Sequence, residues 1–98
     1  MRPVLPGDVA AAACALYVVH VSERPDAIVK MIARANAADR YRFVTGRAHP
    51  KWGNGSLAAV AKTMPRAREP YQDEPDYCDC MMTVYAALKT QRNTGLAK

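Results

Sequence analysis

"SERPDAIVKMIARANAADRYRFVTG", Ser22 to Gly46, is the stretch whose reading decides the fold. Ser22 can accept hydrogen bonds from the free amides of a helix start. Pro25 fits a first turn where no intrahelical donor is needed, and Gly46 stands where a left-handed C-terminal residue is wanted. Between these signals Ile28, Met31, Ile32, Ala35 and Ala38 recur at helical spacing as one apolar stripe, while Lys30, Arg34 and Arg40 turn outward. The pattern predicts a helix of about twenty residues and about 30 Å, the spine of the fold.

Working outward, three more helices are expected. One runs from about Asp8 to Val19, behind a Pro-Gly-Asp start, with Val9, Ala12, Ala13, Leu16 and Val19 on one face. The β-branched cluster in "LYVVHV" would also suit a strand, but the alanines before it favour helix. A short helix, "LAAVAKTM", follows Ser56 as cap and stops at Pro65. The last begins at "DEPD", with Asp73 as cap, Pro75 in the first turn and Asp76 three residues after the cap. Tyr77, Met81, Val84, Tyr85 and Leu88 form its expected buried stripe, and the tail from residue 93 to 98 is expected to fray. The sum is one all-α domain over residues 1–98, a small bundle of three longer helices and one short one.

Composition agrees. Ninety-eight residues support one modest core, and only seven are aromatic, so that core should be thin and helical rather than a β-sandwich. Three cysteines, an odd number, argue against a disulfide scaffold and for a reducing, cytoplasmic setting. "VAAAACALYVVHV", Val9 to Val21, is too short to span a bilayer and lacks the basic flank of a secretory leader, so it reads as a buried first helix.

The net charge of +5 is unevenly spread. Arg24 to Arg68 carries ten Lys or Arg against Asp26 and Asp39, whereas Glu69 to Cys80 carries five acids and no base. Such polarity favours charge-steered association. The competing reading folds the acidic stretch back onto the basic one.

The link "GRAHPKWGNGS", Gly46 to Ser56, is longer than two neighbouring helices need. Gly53, Asn54, Gly55 and Ser56 precede a helix start, where consecutive amides can gather an anion beside Arg47, His49 and Lys51. It is not a Walker loop, because the Gly-Lys-Ser/Thr ending is absent. The plainer alternative has Asn-Gly making a turn, Ser56 capping, and Trp52 folding inward as a plug. "DRYRFVTGR", Asp39 to Arg47, interleaves bases with Tyr41 and Phe43, as nucleic-acid surfaces do. On a helix, however, Arg40 and Arg42 point about 160° apart. Phe43 is expected to join the core.

Catalytic constellations are not legible. Cys78 and Cys80 of "YCDC" face nearly opposite ways on a helix, one inward and one outward, which suits neither zinc nor a mutual disulfide. The acids Asp73, Glu74, Asp76 and Asp79 are explained by a helix start, and His20 follows an apolar run with no nucleophile beside it. No enzyme, metal or cofactor is expected.

Together "MRPVLPGDVAAAA", "ANAADRYR" and "GRAHPKWGNGSL" resemble a set of small uncharacterised alphaproteobacterial proteins, over most of the chain. That resemblance implies no activity and assigns no functional residue, and the "YCDC" cysteines are not part of its pattern. In class, though not in sequence, the chain is similar to the compact single-domain inhibitors of phages and mobile elements, including anti-CRISPR proteins. The expected function is therefore a non-enzymatic module that blocks or bridges a larger protein or ribonucleoprotein complex through Arg40, Arg47, His49, Lys51 and Trp52. The alternative is a small DNA- or RNA-binding regulator using the same residues. A homodimer is permitted, and no membrane partner is expected.

Overall fold

A computed structural model describes residues 1–93, apart from the Asn93 side chain, so residues 94–98 of the tail expected to fray lie outside the described residues. The chain is an all-α bundle: α1 (Pro6–Tyr17), a single 3-10 turn (Val21–Glu23), α2 (Arg24–Thr45), α3 (Leu57–Ala61) and α4 (Pro75–Asn93). Three helices are long and one is short, as the periodicity predicts.

The spine is α1 rather than α2. Ala12, Ala13, Cys14, Ala15 and Leu16 are buried in succession, so this helix is enclosed all round, and it packs against α2, α3 and α4. Its alanines let three neighbours approach one axis closely in a domain too small for bulkier layers. On α2 the buried set is Ile28, Met31, Ile32, Ala35 and Ala38, the stripe read from the sequence, with Arg24 added at its start. Leu57, Val60 and Ala61 of α3 and Tyr77, Cys80 and Val84 of α4 complete the core.

Two buried charges clip the helix ends together. Asp8, 7 % exposed, accepts from the Leu5 amide at the start of α1 (2.8 Å) and from the Ala58 amide at the start of α3 (2.9 Å). One carboxylate thus answers two positive helix ends. Arg24, 6 % exposed, does the converse at the end of α1: its guanidinium donates to the carbonyls of Leu16 (2.9 Å), Tyr17 (3.3 Å) and Val19 (3.0 Å). The same group grips Asp76 in the first turn of α4 with two bonds, at 2.8 and 3.1 Å.

Several local expectations need correction. Ser22 does not cap α2; it sits in the 3-10 turn, where its amide donates to His20 Nδ1. Glu74, not Asp73, caps α4: its carboxylate accepts from the Tyr77 amide at 2.8 Å, because Pro75 sets the first helical position immediately after it. The short helix ends at Ala61, where Thr63 and Met64 tighten into i→i+3 bonds before Pro65. Tyr85 faces solvent and Cys80 takes its place in the stripe. Phe43 is 90 % exposed, not in the core, because α2 has run past the described parts of the helices it packs against.

Candidate interaction surface

Every residue from Arg40 to Ala48 is exposed, so the last turns of α2 project from the bundle before Gly46 ends the helix at φ +75°. Spacing places Arg40, Phe43 and Val44 on one face of that projection (i, i+3, i+4). Val44 is 75 % exposed beside Phe43. Arg34 and Tyr41, seven residues apart, share another face, and that face holds the loop.

The Gly46–Ser56 link is a closed turn. His49 and Gly53 exchange backbone bonds at 2.7 and 3.0 Å, and His49 Nδ1 accepts from the amides of Lys51 (3.0 Å) and Trp52 (3.1 Å). With Nδ1 accepting twice, the neutral ring carries its proton on Nε2. The imidazole stacks on Trp52 at 4.7 Å between centroids, and Tyr41 meets it edge-on at 5.0 Å. Arg34 lies 5.8 Å over the Trp52 ring. Trp52 is half-buried and packed on the core cluster, between the plug and the fully exposed reading.

Two of the amides expected to gather an anion, those of Gly53 and Ser56, are engaged within the protein. Gly53 N donates to His49 O, Ser56 N to Asn54 Oδ1 at 3.0 Å, and Ala59 N to Ser56 Oγ at 3.1 Å, so Ser56 is the expected cap. The charge that meets the start of α3 is Asp8. Gly55 passes so close to α2 that a Cβ there would lie 2.8 Å from the Asp39 backbone. Gly55 thereby ties the start of α3 to α2, and its carbonyl accepts from the Arg2 amide at the chain start (2.9 Å).

Of the expected partner-binding set, His49 and Trp52 come together, while Arg47 and Lys51 are exposed near them in sequence. Arg40 lies on a different flank of α2. Among the described residues Arg24–Asp76 is the one ion pair between the basic middle and the acidic stretch, and Arg40, Arg42, Arg47 and Lys51 form none. No described carboxylate of residues 69–80 comes within 4 Å of the bases at the end of α2.

Sequence reasoning missed Asp8 and Arg24 as structural charges. Asp8 had a signal, an acid three residues after the residue preceding a helix start; Arg24 was hidden among nine other bases.

Burial pushes the Cys14 and Cys80 thiols up from their usual range, and Cys78 Sγ donates to the Gln72 carbonyl at 3.1 Å. The Tyr77 hydroxyl is buried against the Cys14 thiol, a weak hydrogen-bonding neighbour, and desolvation pushes its ionisation strongly upward. No group of three or more His, Cys, Asp or Glu among the described residues is placed to hold a metal. No described helix is long and apolar enough to cross a membrane.

A family described as a domain of unknown function, DUF7742, matches residues 2–88. No curated protein and no solved structure matches the chain.

Proposed function

The chain belongs to the DUF7742 family, and we propose that it is a cytoplasmic, non-enzymatic binding module that seats the projecting end of α2 on a larger protein or ribonucleoprotein assembly, blocking or bridging it as small inhibitors do. The exposure of Phe43 carries this reading. A phenylalanine left 90 % in solvent contributes nothing to this bundle. Burying it in a partner's pocket stabilises a complex by about 1.5–3 kcal/mol. Val44 widens the apolar contact, and Arg42, Arg47 and Lys51, unpaired by any described carboxylate, favour an acidic rim around that pocket.

The test is affinity capture from a bacterial lysate, with and without nuclease, using the wild type and a Phe43→Ala/Val44→Ala variant. The expected result is a protein retained by the wild type after nuclease and lost by the variant. Equal capture by both, or capture that nuclease abolishes together with steep weakening by salt, contradicts the reading, the latter in favour of nucleic acid.

A further inference from the structure

Between α2 and α4 lies an open apolar groove of about 570 Å³, floored by Ile28 and Ile32 and walled by Val29 and Ala33 on one side and Ala86 and Ala87 on the other. Val29 is 60 % exposed there, although α2 buries the neighbouring stripe well. We propose that this groove is a homodimer interface, covered by the same groove of a second copy lying antiparallel across a two-fold axis near Ala33.

The charges along the groove select that occupant. The two helices run in the same direction, since Arg24 grips Asp76 at one end while Asn36 Nδ2 donates to Gln91 Oε1 at 3.4 Å near the other. On the flanks that border the groove, helical spacing places exposed Asp26 of α2 and Asp79 of α4 at the first end, with Lys30 one turn on from Asp26 at the outer rim, and exposed Arg40 at the second. None of Asp26, Asp79 and Arg40 is in an ion pair among the described residues. The groove is thus acidic at one end, apolar in the middle and basic at the other.

A surface with that polarity is complementary to itself after a half-turn. Rotation sets each Arg40 against Asp26 and Asp79 of the other copy, giving two identical clusters, whereas parallel stacking sets like charge on like. The register is consistent as well. Residues 26 and 40 are symmetric about Ala33, so pairing them puts the axis where Ala33, Ala86 and Ala87 leave no bulk between the backbones. In that register Phe43, on the Arg40 face, comes level with the 3-10 turn that precedes the opposite α2, so the dimer and the function proposed for the end of α2 share that margin; charge-reversed variants at Asp26, Asp79 and Arg40 leave Phe43 and Val44 unchanged and separate the two.

The test is the mass of the full chain in solution, by sedimentation equilibrium across micromolar to millimolar concentrations. A reversible approach to twice the chain mass of 10.7 kDa is expected. Arg40→Asp alone, and Asp26→Arg/Asp79→Arg alone, should each weaken dimerisation at least about hundredfold, because the substituted ends then repel. Mixing the two variants should restore a one-to-one dimer, one copy now basic throughout and the other acidic. All positions are exposed, and circular dichroism of each variant separates lost association from lost fold. A wild type that stays monomeric throughout overturns the proposal, and so do swapped variants that fail to pair with each other.

Discussion

The Asp8 carboxylate accepts a hydrogen bond from the Ala58 amide at 2.9 Å, joining the starts of two helices 50 residues apart in sequence. Its other oxygen serves the Leu5 amide, so a single acid less than a tenth exposed holds α3 onto α1. Asp8→Ala leaves two amides without an acceptor and should cost about 2–4 kcal/mol in urea unfolding. Asp8→Asn keeps one oxygen acceptor but loses the charge and should fall between. Equal midpoints for wild type and Asp8→Ala contradict the double cap.

At the opposite end of α1, Arg24 holds the Asp76 carboxyl below its ordinary range, chiefly through the guanidinium hydrogen bonds. Asp76 therefore contributes stability that is complete above the unfolded carboxylate range and is lost as pH falls through the lower folded value. Thermal unfolding of wild type and Asp76→Asn should differ at neutral pH and converge well below about pH 4. A gap that persists to strong acid would count against the pairing. Arg24→Met, which also strips three carbonyls of their donor, should cost about 3 kcal/mol or more.

Two glycines with positive φ should respond differently to alanine. At Gly46 nothing lies within 4 Å of the added Cβ, so only the backbone preference at φ +75° is lost, about 1 kcal/mol. At Gly55 the same change adds a Cβ 2.8 Å from Asp39 Cα, Cβ and Oδ1. Forcing α2 and the loop apart should raise the cost to about 2–4 kcal/mol. Similar midpoints for the two variants in urea would contradict the close approach.

Tyr77→Phe removes a buried hydroxyl whose polar neighbour is the Cys14 thiol. A thiol is a weak partner that offsets little of the cost of burying the hydroxyl, so this variant should lie within about 1 kcal/mol of the wild type. A loss well beyond that range would contradict a weak hydroxyl–thiol contact.

The fold was legible because its signals are local. The α2 stripe, the left-handed Gly46 and the Ser56 cap each follow from residues within a turn or two of one another, and each stands where the pattern puts it. What escaped is non-local. Asp8 and Arg24 act on residues far along the chain, and nothing in their own neighbourhoods names Ala58 or Asp76 as the other end. Phe43 was misread for a related reason: hydropathy says that a side chain prefers burial, not whether any neighbour reaches it. The loop was half legible, since Asn54 and Ser56 do make the turn and cap. The His49–Trp52 stack depends on a backbone closure between His49 and Gly53 that composition does not specify.

The most direct measurement is calorimetric titration of the captured partner with wild type and Phe43→Ala, alongside thermal unfolding of both. Because Phe43 is 90 % exposed, unfolding should be unchanged. Affinity should fall at least about tenfold, the loss of one anchoring aromatic. Unaltered affinity with unaltered stability would show that the projecting end of α2 is not where this protein meets its partner.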